Sequence, residues 1–207
     1  MAILRIDASI LGPNSASTEL ADLVEKELGG VQVKRRHLGA DPLPADAWAT
    51  AIQAAYVPAD QRSDAHHSAV ALAGELADEL RNADAVILAL PFYNYGVSQH
   101  AKTWIDLAIA GGENGEKLLD GKPAVVVTTR GGAYGPGTPR EGWDHNTDYL
   151  RRLVGDVWGA DVTLIEREFT LVGQNPALDQ FKDLAAEMRN SAYEACATAG
   201  RTLAARA

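Results

Sequence analysis

The chain of 207 residues alternates between short apolar runs and stretches in which apolar residues recur every three or four positions. The first pattern predicts strands and the second predicts amphipathic helices. A strand is expected over Ile3 to Ala8, followed by a helix with Leu20, Leu23, Val24 and Leu28 on one face. Gly29-Gly30 stops that helix, and Val31 to Leu38 reads as a second strand. A long loop with Pro42, Pro44 and Pro58 holds a short helix near Ala47 to Tyr56, and Leu72, Leu76 and Leu80 mark the next long helix. The run Ala85 to Leu90 predicts a strand covered on both faces. A helix with Ala101, Trp104, Ile105, Ala108 and Ile109 inward follows it, and Ala124 to Thr128 is another buried strand. Beyond a Gly- and Pro-rich loop, Tyr149 to Trp158 reads as helix and Val162 to Ile165 as the fifth strand. The last helix is expected from Leu178 to Leu203, with Leu178, Phe181, Leu184 and Met188 inward.

Five strands separated by helices predict an α/β fold with a parallel sheet, because parallel neighbours require long, right-handed crossovers. No repeat, low-complexity tract or linker divides the sequence, so residues 1–207 read as a single domain. The first strand departs from the pattern: Arg5 and Asp7 share one face of a strand expected to be buried, either pairing with each other or lying near an exposed strand end.

Composition narrows the function classes. With 46 % hydrophobic and 23 % charged residues the chain is ordinary globular protein. A formal charge of −9 with scattered Lys and Arg argues against a nucleic-acid partner. The longest apolar run, Ala85 to Phe92, is too short to span a bilayer, and the charged Met1 to Asp7 segment does not resemble a signal peptide. A single cysteine, Cys196, cannot form an intrachain disulfide. These features predict a soluble, cytoplasmic protein.

In open parallel sheets ligands bind beyond the carboxyl ends of the strands, where the strand order reverses. The segments after strands one, three and four are all unusual. Ser9 to Ser17 offers hydroxyls, unpaired N–H groups and a helix N-terminus, which together suit a phosphate. Helix capping by Ser15 or Ser17 would give the same residues. The stretch has no Walker lysine and no Gly-x-Gly-x-x-Gly. Pro91-Phe92-Tyr93-Asn94-Tyr95-Gly96-Val97-Ser98 puts three aromatics and an amide at the end of a buried strand, either as a wall for a planar heterocycle or as a plug for the core. Thr128-Thr129-Arg130-Gly131-Gly132-Ala133-Tyr134 carries paired glycines that allow close backbone approach to a ligand, or form an ordinary turn.

The order Ser9…Ser15-x-Ser17, Pro91-Phe92-Tyr93-Asn94-Tyr95 and Thr129-Arg130-Gly131-Gly132 resembles the FMN-dependent NADH:azoreductases and NAD(P)H:quinone reductases. Asp41-Pro42-x-Pro44 and Lys102…Asp106-Leu107 extend the resemblance over most of the chain. It implies a flavodoxin-like three-layer α/β/α sandwich with strand order 2-1-3-4-5, non-covalent FMN and a homodimer with FMN sites near its interface. It also implies ping-pong turnover, in which NADH or NADPH reduces FMN and a quinone or azo compound takes the electrons. Residue by residue, Ser9, Ser15, Ala16 and Ser17 would hold the phosphate end. Phe92, Tyr93, Asn94 and Tyr95 would line one edge of the isoalloxazine, and Thr129, Arg130, Gly131 and Gly132 another. Thr129 stands where the family often has serine. The glycine turn would face the N1–C2=O side of the ring, where negative charge develops on reduction.

One departure concerns the connection after the third main helix, which in the family is longer and aromatic. Here Gly111 to Lys117 passes quickly to Leu118, leaving the open face of the ring less covered, or covered instead by Tyr134, Trp143 or a partner subunit's Trp48 to Tyr56 segment. Flavin chemistry needs no side-chain nucleophile; Tyr134 and His145 are the candidates for a general acid. His66-His67 lacks a third metal ligand and reads as a solvated helix start. Asp144-His145 lacks a serine elbow, Lys102 and Asp106 read as a helix-surface pair, and Cys196 as inert packing. The rival readings are a flavodoxin-type electron carrier, a biosynthetic flavoenzyme dedicated to one quinone or aromatic intermediate, and a family member that has lost flavin.

Overall fold

Alternation of side chains along the strands decides which helices cover which face of the sheet. The computed structural model describes residues 1–206, and Ala207, the last residue of the predicted domain, lies outside the described residues. The strands are β1 Ile3–Asp7, β2 Val33–His37, β3 Ala85–Ala89, β4 Phe92–Tyr93, β5 Gly96–Val97, β6 Pro123–Thr129 and β7 Asp161–Arg167. Five of them form a parallel sheet in the order β2-β1-β3-β6-β7, and β4 and β5 pair as a separate antiparallel hairpin. Counting sheet strands alone, this is the expected 2-1-3-4-5 order.

The helices are α1 Ala16–Lys26, α2 Ala47–Ala54, α3 Asp64–Asn82, α4 Gln99–Gly111, α5 Thr147–Leu150 and α6 Lys182–Ala204. Leu4, Ile6, Val86, Leu88 and Val126 point to one core with α3, α4 and the segment after α5. Ile3, Ala85, Ile87, Val125, Val127 and Ile165 point to the other, with α1 and α6. This is the three-layer α/β/α sandwich. The edge strand β2 carries Lys34, Arg35 and Arg36, which keep its free edge polar.

The open question about β1 resolves as internal pairing. Arg5 and Asp7 are fully buried. Arg5 Nε and Nη2 donate to the two Asp7 oxygens at 2.9 Å, and Nη1 reaches Asp22 and Glu25 of α1 at 2.6 and 2.7 Å.

Three expectations need correction. Ile109 lies on the outer side of α4 at 45 % exposure, and the buried face is Ala101, Trp104, Ile105, Leu107 and Ala108. The last helix is preceded by a tight turn over Pro176–Phe181, and Leu184 is 43 % exposed. Its buried stripe is Ala192, Cys196, Ala199, Gly200 and Leu203 instead. Small residues sit there because α6 crosses α1 closely: a Cβ on Gly200 would lie 2.4 Å from the Val24 carbonyl oxygen. Finally, Tyr149 to Trp158 is not one regular α-helix. After α5 the chain widens into a π-helical turn over Arg151–Val157, closed by the Trp158 N–H donating to the Leu153 oxygen at 2.9 Å.

Candidate functional site

The three segments singled out by their chemistry meet in one groove across the carboxyl ends of β1, β3 and β6. It has a volume of about 470 Å³, within the usual range for small-molecule sites. Ser9, Ser15 and Ala16 line it from the first segment, Phe92, Tyr93, Asn94 and Tyr95 from the second, and Thr129, Gly131 and Gly132 from the third. Adjacent strands lie about 4.8 Å apart. The groove therefore runs about 10 Å from a β1 end rich in hydroxyls to a β6 end rich in glycine.

At the β1 end the chain turns through Gly12–Asn14 into α1. Ser15 is the N-cap, and its Oγ accepts from the Thr18 N–H at 3.1 Å. The first N–H groups of a helix have no partner within it, so those of Ala16 and Ser17 are left for an anion, aided by the helix dipole. Ser17 itself is buried and exchanges a hydrogen bond with Ser15 at 3.1 Å; its side chain does not line the groove. Ser9 is also buried, and its Oγ lies 3.0 Å from the Tyr93 hydroxyl, tying the first segment to the second. The backbone needs glycine nearby, because a Cβ on Gly39 would sit 1.9 Å from the Ser9 carbonyl oxygen.

The middle segment forms a hairpin rather than a simple turn. Phe92 pairs with Val97 and Tyr93 with Gly96. The two-residue connection holds Asn94 at φ 48° and Tyr95 at φ 71°, as a primed turn demands. Tyrosine in this region is strained, and such strain concentrates at functional sites. The hairpin aims Phe92, Tyr95, Tyr134 and Trp143 at one another in edge-to-face contacts, with Phe92 4.7 Å from Tyr134 and Tyr95 5.8 Å from Trp143. Tyr134 lines the groove, whereas His145 does not; its N–H donates to the Tyr95 oxygen at 3.1 Å and steadies the hairpin.

In the third segment, Thr129, Gly131 and Gly132 line the groove while the Arg130 side chain turns behind it. Arg130 is 5 % exposed and pairs with Asp144, Glu166 and Glu168. Its N–H donates to the Arg167 oxygen at 2.8 Å, and its carbonyl accepts from Thr170 at 3.0 Å. Burial pulls the guanidinium towards deprotonation, but the bond to Glu166 and the surrounding carboxylates overcome it and hold the charge. Burial likewise pushes the Asp144 carboxyl up, but Thr147 Oγ1, the N–H groups of Asn146 and Thr147, and Arg130 bring it below the ordinary aspartate value. Gly131 and Gly132 have no positive φ, so their role is space: among the described residues their N–H groups have no partner within the chain.

The sequence reading missed Thr170, Leu171 and Gln174 beyond β7, and Arg140. The first three follow the carboxyl end of the fifth strand, so the rule applied to the other strands would have found them. Arg140 sits in an irregular loop with no such signal. The short connection after α4 lies at the opposite, amino end of the sheet: Lys122 Nζ bonds the Arg81 oxygen at 2.7 Å, and Glu116 holds Arg81. A larger cavity of about 530 Å³ also lies at that amino end, where Glu79 is already neutralised by Arg36 and Lys34.

The remaining residues stay structural. His66 completes a capping box with Ser63, and Lys102 bonds Asp106 at 2.6 Å. Cys196 is buried, which pushes its thiol up to about 12. Among the described residues no cluster suits a metal ion, and no helix is long and apolar enough to cross a membrane.

A fold with this strand order and a groove at its switch point defines a class, and comparison with known proteins agrees. The flavodoxin-like fold family matches residues 1–192. An FMN-dependent NADH:quinone oxidoreductase from Frankia casuarinae is 36 % identical, covering 95 % of this chain and 96 % of its own. One of the same name from Burkholderia pseudomallei is 38 % identical over 86 % of this chain and 92 % of its own. The crystal structure of an FMN-dependent NADH-azoreductase from Bacillus anthracis in complex with FMN shares the fold with a TM-score of 0.74 at 16 % identity, covering 98 % of this chain and 99 % of that one. The chain therefore belongs to the flavodoxin-like fold family and, within it, to the FMN-dependent NADH:quinone oxidoreductases.

Proposed function

We propose that residues 1–207 act as one FMN-binding domain that oxidises NADH or NADPH and reduces quinones and azo compounds in ping-pong order. The observation that carries this reading is the convergence of the three segments on one groove with a hydroxyl-rich, helix-dipole end and an aromatic, glycine-walled end. That donor set fits FMN, which is elongated, anionic at one end and planar at the other.

In this reading the Ala16 and Ser17 N–H groups and the Ser15 hydroxyl hold the phosphate. Ser9 positions Tyr93. Phe92 to Tyr95 flank the ring, and Thr129 with the free N–H groups of Gly131 and Gly132 faces its polar edge. FMN held there would supply the two-electron redox chemistry that links nicotinamide and acceptor. The chain contributes position and exclusion of water: Tyr95 and Tyr134 line one side of the groove, with Trp143 packed edge-to-face on Tyr95 outside it, so donor and acceptor would share the remaining face in turn. Tyr134 lines the groove and its hydroxyl, which accepts from Arg140, is the proton donor to product in this reading. A homodimer would cover the face formed by Trp48, Ile52 and Tyr56, which are exposed one helical turn apart along α2 and its end.

Anaerobic stopped-flow absorbance of the FMN-reconstituted protein tests the reading. Bleaching by NADH followed by recovery with benzoquinone is expected. Failure to bind FMN, or binding without reduction by either nicotinamide, would sink it, the latter in favour of an electron carrier.

A further inference from the structure

Among the described residues, Arg140 is the only charged side chain lining the groove of this otherwise acidic protein. Most arginines of the chain pair with carboxylates, including Arg5, Arg36, Arg81, Arg130 and Arg167. Arg140 makes no ion pair among the described residues, and its side chain is held by an aromatic residue instead. Its Nη1 donates to the Tyr134 hydroxyl at 3.1 Å, and its guanidinium carbon stands 5.7 Å from the Tyr134 ring centroid. The same Nη1 is the nearest atom, at 3.7 Å, to a Cβ built on Gly132. The charge therefore sits at the glycine end of the groove, across from the helix N-terminus that suits the phosphate.

We propose that Arg140 is a specificity-determining residue that selects aromatic acceptors bearing an acidic substituent on the ring, a carboxylate or a sulfonate. The inference rests on the proposed reductase activity and names its preferred acceptor class. A planar fork with several donors matches a carboxylate or sulfonate in two-point contact. The short reach argues for the acceptor as the source of the anion. A ring seated against Tyr134 brings a directly attached acid within one ring width of the guanidinium, whereas the phosphates of a nicotinamide donor are separated from its ring by a ribose. Arg140 also bonds the Tyr134 hydroxyl, but an effect exerted through Tyr134 falls on both acceptors of a matched pair and cancels in their ratio, whereas selection for the acid does not.

The test uses the FMN-loaded protein with paired acceptors, 1,4-naphthoquinone and its 2-sulfonate, compared as a ratio of kcat/KM so that intrinsic reactivity cancels between variants. Arg140→Gln is expected to lower the sulfonate-to-parent ratio about tenfold, mostly through KM, and Arg140→Lys to recover part of it. The wild-type KM for the sulfonate should rise with ionic strength more steeply than that of Arg140→Gln. FMN fluorescence titration should give the same Kd for wild type and Arg140→Gln. An unchanged ratio overturns the proposal. So does a rise in the NADH Kd of the reductive half-reaction without a change in the ratio, or weakened FMN binding, since these place the anion on the donor or on the cofactor. A protein that binds no FMN, or that no nicotinamide reduces, fails at the earlier step and refutes the reductase reading itself.

Discussion

Two buried arginines, Arg5 and Arg130, both face several carboxylates, yet they stand in different parts of the molecule and do different work. Arg5 lies in the middle of β1 beneath α1, fully buried, with a bidentate bond to an equally buried Asp7. Arg130 lies just past the end of β6 and gathers Asp144, Glu166, Glu168 and Thr147 from two later segments. Two of its carboxylates are partly exposed, 17 % for Asp144 and 37 % for Glu166, with Glu168 buried; in the Arg5 cluster Asp22 and Glu25 are the exposed partners, but the bidentate one, Asp7, is fully buried. The first cluster locks a strand to a helix inside the scaffold. The second fastens the loop that walls the groove, and its guanidinium also stands 5.9 Å from the Phe92 ring centroid. Burying a charge is costly unless it is paired, so the more deeply buried cluster should weigh on stability and the one at the sheet's end on the site.

The largest effect expected is from Arg5→Met. It leaves Asp7 buried without its main partner, Arg35 remaining only at 3.7 Å, and should cost about 3–5 kcal/mol of stability. Urea unfolding followed by circular dichroism measures this, and the fraction that folds should bind FMN normally. Changing both residues, Arg5→Met with Asp7→Leu, should recover much of the loss, because no unpaired charge then remains. Next in size, Arg130→Met should cost about 1–3 kcal/mol, since its partners keep some access to water. It should also weaken FMN about tenfold in a fluorescence titration, equal to about 1.4 kcal/mol. A stability loss from Arg130→Met as large as that from Arg5→Met, with FMN affinity intact, would erase the distinction between the clusters.

The smallest effect concerns acid. Asp144 titrates below its ordinary value in the fold, so the stability it contributes is fully present above the unfolded aspartate pKa of about 3.9 and is lost as pH falls through the folded value. Glu25 beside Arg5 behaves in the same sense: burial pushes it up, but Arg35 and Arg5 outweigh that and lower it. Below about pH 4 the wild type should lose stability steadily. Asp144→Asn should be less stable at neutral pH and show a flatter acid limb in thermal melts. An unchanged slope would mean that Asp144 carries no charge-linked stability.

Much of the scaffold was legible from periodicity. The apolar runs at Ala85 and Ala124 fall on central strands covered on both faces, where a parallel strand takes apolar side chains on each side, while β1 keeps Arg5 and Asp7 buried by pairing them with each other. The three groove segments were legible for a related reason: hydroxyls, clustered aromatics and paired glycines at strand ends are poor core formers and stand out against the pattern. The inward face of α6 was not legible. Hydrophobicity favours Leu184, but the stripe that packs inward is mostly small residues with Gly200 tight against the Val24 carbonyl of α1, and that distance belongs to the packed pair rather than to either helix.

By itself the sequence determined the α/β class with its parallel sheet and the segments that reach the carboxyl end of that sheet, since these follow from local period and chain connectivity; the strand order came with the family resemblance. Only the tertiary structure decided what those segments do together. It turned Arg130 behind the groove, hid Ser17, excluded His145 and brought Arg140 and the loop beyond β7 into the wall. Side-chain direction in loops depends on partners distant in sequence, here carboxylates 14 to 38 residues away from Arg130, and no local pattern encodes them.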